Sequence, residues 1–295
     1  MRPSGCSRRD RPLNAGQALQ QGRERLKAAG TVEAAREAAS LLAAVIGWMP
    51  HRVYMHPEHL LTAEQAEKLW ALVARRAQGE PLQYLLGRQE FMSLEFSVGP
   101  GVFIPRPETE LLVELAVARC PRTVVDVGTG SGAIAVAVAV ACPGAVVYAT
   151  EVSPAALAYA RANAARHPVE ARVLFCPGDL LDALSGRGLE GCVDVVVSNP
   201  PYIARRRWGS LPKEVREFEP RVSLDGGEDG LDVYRRLAPL CLPYLSSGGR
   251  LLLECGEGQA GPVSGLLEAA GWQVERIHCD YAGIQRVLEA RRREA

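Results

Sequence analysis

The spacing of apolar side chains divides the chain into two regions of different periodicity. Over residues 15–87, apolar positions such as Leu26 and Leu41 recur three or four apart, a period that predicts amphipathic helices. Thr62, with Gln65 three residues later, has the spacing of a capping box, whose two side chains accept backbone hydrogen bonds where a helix begins. This region carries no alternating strand pattern, so a small helical bundle is predicted.

Alternating apolar and polar residues replace the helical period over residues 88–105. The alternation ends at Gly99-Pro100-Gly101, and the combination predicts a β-hairpin that links two domains.

Over residues 106–295, short β-branched runs alternate with helical patterns. Strands are predicted at Thr123–Val127, Ala145–Thr150, Ala171–Phe175, Val193–Ser198, Gly249–Glu254, Trp272–Ile277 and Gln285–Glu289. Helices are predicted near residues 108–119, 131–141, 154–166, 230–244 and 258–270, the third with Ser153 as N-cap and Pro154 at its first position. Strands with interleaved helices favour an α/β fold with a doubly wound sheet.

Composition and charge restrict the class of protein. The 295 residues are 47% hydrophobic and 23% charged, as in globular proteins, and 34 basic residues balance 34 acidic ones. This balance argues against a main role in gripping nucleic acid, because proteins with that role carry a basic excess. Residues 1–30 do hold seven basic and two acidic residues, which form either a solvated tail and helix face or a binding patch. Residues 1–14 are predicted to be a disordered start.

Cysteine usage and hydropathy indicate a cytoplasmic protein. The eight cysteines include no C-x-x-C pair and lie mostly in or beside apolar segments, so we interpret them as reduced thiols and not as metal ligands. The apolar run Leu41–Ile46 is far too short to span a bilayer, and no apolar segment follows Arg8-Arg9 as a secretory signal requires. We therefore expect no metal and no membrane association. Nothing in the sequence suggests an obligate dimer, so we expect a monomer.

A glycine-rich turn between an apolar strand and a small-residue helix is the first candidate site. In "TVVDVGTGSGAIAVAVAV" (residues 123–140), glycines allow the backbone to turn tightly and approach a ligand at the helix N-terminus. The candidate cofactor-binding residues are Asp126, Gly128, Thr129, Gly130, Ser131 and Gly132. With Ala133 the turn also satisfies the dinucleotide-binding pattern, and a purely structural turn is a further alternative.

Two later acidic residues favour a nucleoside pocket. Glu151 falls at the end of the second sheet strand, where its carboxylate can accept hydrogen bonds from both ribose hydroxyls. Asp179 follows the third strand and is placed to accept from an adenine amino group, with the Leu180 N–H available to the ring. Because these residues and the glycine turn follow successive strands, they are expected to meet at one crevice.

The stretch "DVVVSNPPY" is the second candidate site. A β-branched strand stops at Asn199, and Pro200 and Pro201 then fix two φ angles before Tyr202. Together with "DVGTGSG", this stretch resembles the class I S-adenosylmethionine methyltransferases that modify planar nitrogens. The resemblance implies that the Asn199 side-chain oxygen and the Pro200 carbonyl accept the two N–H protons of the target nitrogen, while Tyr202 lies flat against its plane. Both pyrrolidine rings preorganise that geometry.

A closer resemblance covers about nine-tenths of the chain. The motifs "EPLQYLLGRQEF" (80–91), "FIPRPETE" (103–110), "FEPRVSLDGGEDGLDVYRRL" (218–237), "LLLECGEGQ" (251–259) and "CDYAGIQR" (279–286) resemble the PrmC/HemK family. Members of this family methylate the amide nitrogen of the glutamine in the Gly-Gly-Gln motif of class 1 peptide chain release factors. The resemblance implies S-adenosylmethionine as cofactor, residues 15–87 and the hairpin as a docking surface for the release factor, and Asn199–Tyr202 as the substrate site. The resemblance further implies that Asn199, Pro200 and Tyr202 are the catalytic residues and that Asn199 also contacts the cofactor.

Several residues are compatible with two interpretations. The family often has Trp at the position of Leu180 and Asp at that of Glu151, the latter a tolerable change. Arg106, Glu108 and Glu110 either close over the methionine end of the cofactor or cap a helix, where the dipole favours Glu. The segment Arg205-Arg206-Arg207 either touches a release factor or is a solvated loop.

Two rival functions remain open from the sequence. An adenine-N6 or guanine-N2 methyltransferase acting on DNA or RNA would use the same Asn-Pro-Pro-aromatic motif, but it would have to flip a base and hold phosphates. A degenerate methyltransferase fold could serve as a binding scaffold. Every expected pocket position holds a workable residue, which argues against the scaffold.

Overall fold

The computed structural model describes residues 13–293, which divide into two compact units at the Gly87/Arg88 boundary. Most of the predicted disordered start, residues 1–12, lies outside the described residues. Asn14 is described, and its side chain caps the first helix by accepting from the Gln17 N–H at 2.8 Å.

The unit that ends at Gly87 is helical. Its helices are α1 (Ala15–Ala28), α2 (Ala34–Ile46), α3 (Pro50–Met55), α4 (Ala63–Ala77) and α5 (Leu82–Leu86). The predicted capping box at the start of α4 is confirmed, with the Gln65 N–H donating to the Thr62 hydroxyl at 3.1 Å. Leu26, Leu41 and Leu69 are buried in one apolar cluster, which is what their helical spacing predicts.

The second unit opens with a β-hairpin of β1 (Arg88–Phe91) and β2 (Leu94–Ser97). The chain does turn at Gly99-Pro100-Gly101, where the Val102 N–H donates to the Gly99 carbonyl at 3.3 Å, but this turn follows the hairpin. The prediction that it joins the two strands is wrong, because they are joined at Met92 and Ser93, whose φ values are 52° and 58°. Such left-handed hairpin turns favour Gly or Asn, so this pair carries no turn signal in the sequence. The hairpin is anchored by Phe91 and Phe96, which pack into the apolar core of this second unit.

A seven-stranded mixed sheet forms the rest of the second unit. Its strands are β3 (Thr123–Val127), β4 (Val146–Glu151), β5 (Val173–Pro177), β6 (Val193–Ser198), β7 (Leu245–Glu254), β8 (Trp272–Cys279) and β9 (Gln285–Arg292). Its helices are α6 (Glu110–Val117), α7 (Ala133–Ala141), α8 (Pro154–Arg166), α9 (Lys213–Phe218), α10 (Asp232–Cys241) and α11 (Ala260–Ala269), with 3₁₀ turns at 107–109, 180–184, 205–210 and 221–223. The predicted N-cap at Ser153 is confirmed, its hydroxyl accepting from the Ala156 N–H at 3.3 Å. No helix in residues 13–293 is both long and apolar enough to cross a membrane.

The order of the strands places the candidate site. The sheet runs β5-β4-β3-β6-β7-β9-β8, with β3 to β7 parallel and β9 antiparallel to both of its neighbours. Chain order reverses beside β3, because β4 pairs on one side of it and β6 on the other. Ligands of doubly wound sheets bind where this reversal opens a crevice at the carboxyl ends of the strands. Alternate residues of β3 enter different cores, Val124 on one face and Val125 on the other, which explains the continuous apolar run.

Gly132 is the position where the turn after β3 tolerates no side chain. Its φ is +81°, and an added Cβ would lie 3.1 Å from the Cα of Ala160 in α8. We expect Gly132→Ala to lower the free energy of unfolding by about 1–3 kcal/mol, because the left-handed backbone is strained and the contact is too short. Gly144→Ala is the control, since that glycine is exposed, lacks a positive φ and has open space around it, and its effect should stay within about 0.5 kcal/mol. Urea unfolding of both variants measures the difference. Equal free energies of unfolding would contradict the claim that a side chain at Gly132 is strained and too close to Ala160.

Candidate active site

A cavity of ≈ 480 Å³ opens at the carboxyl ends of β3, β4 and β6. Its size is that of a small-molecule site. Eleven of the thirteen predicted site residues line it: Gly128, Thr129, Gly130, Ser131, Glu151, Asp179, Leu180, Asn199, Pro200, Pro201 and Tyr202. Asp126 and Gly132 do not, and the lining includes Ile134 and Thr109, which were not predicted. The structure thus brings the glycine turn and the Asn-Pro-Pro-Tyr stretch to one cavity.

The glycine turn is held by the end of β4. The N–H groups of Gly128 and Thr129 both donate to the Thr150 carbonyl, at 3.0 and 2.9 Å. Gly128 and Gly130 have φ values of +74° and +58°, and a Cβ added to either would meet nothing within 4 Å. Open space above a left-handed backbone is what a ligand needs in order to approach the turn closely.

Asp126 lies beneath this turn and does not line the cavity. Its carboxylate accepts from the Thr129 hydroxyl at 2.6 Å and from the Ala135 N–H at 3.2 Å, while the side chain is fully buried. Burial raises the pKa of Asp126 to about 7, against the opposing effect of these two hydrogen bonds. The arrangement indicates that Asp126 shapes the turn from below and does not touch a ligand.

Glu151, at the end of β4, lies against the glycine turn. One carboxylate oxygen accepts from the Gly130 N–H at 2.9 Å and the other from the Ser153 N–H at 2.8 Å. A carboxylate has about four lone-pair positions, so each oxygen keeps one for a further donor in the cavity. These two bonds fix its orientation.

Asp179 and Leu180 form the third part of the wall, after β5. The Asp179 carboxylate is paired with Arg236 of α10, a partner that the sequence did not suggest. Leu180 has a φ of +47°, uncommon for a residue with a branched side chain. The backbone conformation at Leu180 determines where its N–H can reach.

The Asn-Pro-Pro-Tyr stretch leaves β6 directly into the cavity. The Asn199 Nδ2 donates to the Thr109 hydroxyl at 3.0 Å, and Pro200 is buried. Tyr202 is mostly buried, and this raises the pKa of its phenol to about 12, so the ring is neutral. Its backbone carbonyl accepts from the Gln259 Nε2 at 2.9 Å, and the Gln259 Oε1 in turn accepts from the Gly256 N–H at 2.9 Å.

Four residues around the cavity were missed as functional candidates: Thr109, Arg236, Glu254 and Gln259. Glu254 and Gln259 fall in "LLLECGEGQ", and a carboxylate ending an apolar strand is a signal that could have been read. Thr109 and Arg236 lie on helical segments that are far in sequence from the residues they contact, Asn199 and Asp179. No local sequence pattern indicates a role in the site for either.

The residues with two interpretations separate in the structure. Arg106 lines the cavity and is paired with Glu219, whereas Glu108 is exposed. Glu110 accepts from the Met92 N–H at 2.6 Å, which ties the start of α6 to the hairpin. In the segment 205–207, Arg205 is paired with Asp225 and all three side chains are exposed.

The sheet order and the cavity define the chain as a class I methyltransferase-like protein. The catalytic domain of hMettl16, solved with a MAT2A 3′UTR hairpin, aligns with a TM-score of 0.51 at 19% identity over 76% of this chain and 82% of that one. A methyltransferase from Pyrococcus furiosus aligns with a TM-score of 0.50 at 20% identity over 67% and 88%. These likenesses show the fold. The family model "Methyltransferase small domain" matches residues 94–210, and "PrmC N-terminal domain" matches residues 17–87.

Curated relatives identify the family. The release factor glutamine methyltransferase of Moorella thermoacetica is 45% identical over 283 residues, covering 94% of this chain and 98% of that protein. Its counterpart from Geobacter sulfurreducens is 43% identical over 264 residues, covering 89% and 91%. The chain belongs to the release factor glutamine methyltransferase family, which confirms the resemblance drawn from its motifs.

The raised pKa of Asp126 can be tested through the pH dependence of the free energy of unfolding. Its pKa in the folded state lies above the ordinary value of 3.8, so the protonated side chain stabilises the fold fully below about pH 4 and loses that contribution as pH rises to about 7. Asp126→Asn does not ionise. The free energy of unfolding of the variant should therefore gain on wild type between pH 4 and pH 8, by roughly 2–4 kcal/mol. Urea unfolding of both proteins at pH 4 and pH 8 measures this difference in the free energy of unfolding. A difference that does not change with pH would rule out a raised pKa for Asp126.

Proposed function

We propose that this protein transfers a methyl group from S-adenosylmethionine to the side-chain amide nitrogen (N5) of the glutamine in the Gly-Gly-Gln motif of class 1 peptide chain release factors. The observation that carries the proposal is the meeting of Asn199–Tyr202 with the glycine turn in one cavity, in a chain whose relatives bear this name over nearly their full length.

The residues of the cavity fit S-adenosylmethionine. Gly128 and Gly130 leave open space for close approach, and the two oxygens of Glu151 keep lone pairs for ribose hydroxyls. The Leu180 N–H and the Asp179 carboxylate would face the adenine ring, with Asp179 shared between that ring and Arg236. When bound, the cofactor supplies an activated methyl group on a sulfonium.

Asn199 and Pro200 address the difficulty of the acceptor. An amide nitrogen is a poor nucleophile because its lone pair is delocalised into the carbonyl. The Asn199 Oδ1 and the Pro200 carbonyl would accept its two N–H protons, and the flat, neutral Tyr202 ring would support its plane. Held this way, the nitrogen would be oriented to take the methyl group, with the sulfonium leaving as a neutral thioether and one N–H proton released, and preorganisation would replace a strong base.

Docking of the release factor is assigned to the helical unit, residues 15–87, together with the hairpin region 88–105. Support comes from the match of residues 17–87 to the PrmC N-terminal domain. Residues 106–295 would then carry the chemistry, in a monomeric cytoplasmic enzyme without metal or stable nucleic-acid binding.

Acceptor identity is tested by incubating methyl-labelled cofactor with the full chain and, separately, purified release factor, total tRNA, ribosomal RNA and duplex DNA. Label is expected on the release factor alone. A release factor whose motif glutamine is replaced is the control and should stay unlabelled. Label on nucleic acid would instead favour the adenine-N6 or guanine-N2 alternative.

Asn199→Ala tests the substrate cradle. We expect single-turnover methyl transfer to fall roughly 10²–10³-fold, the loss seen when one preorganised hydrogen-bonding group is removed from an active site. Affinity for S-adenosylmethionine, measured by calorimetry, should change by no more than a few fold, because the glycine turn and Glu151 are untouched. Unchanged turnover would remove Asn199 from the mechanism.

A further inference from the structure

A buried carboxyl group lies behind the substrate cradle, outside the cavity. Glu254 ends β7, and its side chain is only 2% exposed. The pairing of Ser198 with Leu253 puts Asn199 and Glu254 side by side where β6 and β7 end. Its carboxyl group lies near the Thr109 hydroxyl and the Asn199 amide, both of which favour its ionised form, while its Oε2 has no hydrogen-bond partner among the described residues.

The donor and acceptor capacities of Glu254, Thr109 and Asn199 determine which group donates in each hydrogen bond of this cluster. An ionised carboxylate only accepts, so the Thr109 hydroxyl must donate its single proton to Glu254. The Thr109 oxygen is then free to accept from the Asn199 Nδ2, which it does at 3.0 Å. The second Nδ2 proton is then available to the neighbouring Glu254 carboxylate. Since both amide protons point inward, the Oδ1 is the end of the Asn199 amide left for the cavity.

We propose that Glu254, in its ionised form and acting with Thr109, is the positioning residue that fixes the orientation of the Asn199 amide so that its oxygen faces the substrate nitrogen. The inference rests on the proposed function for its meaning in catalysis, but the orientation itself is a property of the free enzyme. An Asn199 amide turned by 180° would present N–H groups to the N–H groups of the substrate.

Loss of the negative charge on Glu254 would remove the preference for one orientation of the Asn199 amide. A protonated Glu254 can donate to the Thr109 oxygen, and the Thr109 proton is then free to be donated to the Asn199 oxygen, so that the reversed orientation of the amide can also be hydrogen-bonded. Burial raises the pKa of Glu254 to about 7, so both forms are accessible near neutral pH. The charged and titratable groups that face this cluster are Glu108, Tyr202, Tyr234, Cys255 and Arg286. Arg286 is the cation among them and favours the ionised form.

Selective labelling can observe the amide directly. The chain has three asparagines, Asn14, Asn163 and Asn199, so ¹⁵N-asparagine gives three side-chain NH₂ pairs, and Asn199→Asp identifies the third by its loss. In the free full-length protein we expect the Asn199 pair to be protected from exchange above pH 7 and to shift with a midpoint near pH 7. In Glu254→Gln both the protection and the midpoint should be lost, whereas the Asn163 pair should keep its protection.

Kinetics supply the second readout. With the release factor as substrate, Glu254→Gln should lower the single-turnover rate roughly 10²-fold, as a misplaced reactive group does, with S-adenosylmethionine affinity unchanged. Thr109→Val should lower the rate at least tenfold, and Thr109→Ser, which keeps the hydroxyl, should stay within threefold of wild type. The matched control is Glu289→Gln, a glutamate of β9 that is 6% exposed and bonded to His278, with an expected rate like that of wild type.

The outcomes separate the two proposals. If wild type fails to methylate the release factor, the proposed function falls, and the amide signals alone decide on Glu254. If wild type is active but Glu254→Gln and Thr109→Val react at its rate, or the Asn199 signals do not respond to either substitution, the positioning role is overturned. Should Glu254→Gln fail to fold, the contrast between Thr109→Val and Thr109→Ser decides.

Discussion

Parallel pairing of β3, β6 and β7 is the constraint from which the site follows. Asp126 pairs with Val197, and Ser198 pairs with Leu253, so the three strands end at one level of the sheet. Each strand then delivers its next residues to the same edge, where the glycine turn, Asn199 and Glu254 meet. A one-residue slip of any strand would turn these side chains to the opposite face, so the apolar core and the site are specified together.

Buried carboxyl groups recur where the strands end. Asp126 and Glu254 are both almost without solvent, and burial raises the pKa of each to about 7. Isolated, such groups would be expensive to bury, but each accepts hydrogen bonds that hold a neighbouring polar group in one orientation. Asp126 orders the turn that would face the cofactor, and Glu254 orders the amide that would face the substrate. The stability lost by burying them is exchanged for a rigid arrangement of groups that line the cavity.

The sequence predictions that depend only on neighbouring residues are confirmed for several helix N-caps and strands. The N-caps at Thr62 and Ser153 and the strands Thr123–Val127 and Val193–Ser198 lie where their residue patterns placed them. The connection between the hairpin strands was not predicted at Met92 and Ser93 because these residues adopt left-handed backbone without glycine, beside the buried Phe91 and Phe96. β7 begins at Leu245, four residues before its predicted start, because pairing with β6 extends it through a polar stretch.

Residue order alone was enough to specify the alternation of strands and helices, the glycine turn and the Asn-Pro-Pro-Tyr stretch, since each depends on neighbours in the chain. It also carried the motifs that indicate the family. The partners of those groups came only with the folded sheet: Thr109 against Asn199, Arg236 against Asp179, Gln259 against the Tyr202 carbonyl. These pairs are separated by up to 90 residues, and a contact across such a distance depends on strand order and register. No local pattern encodes that order, which is why the orientation of the site emerged from the tertiary structure.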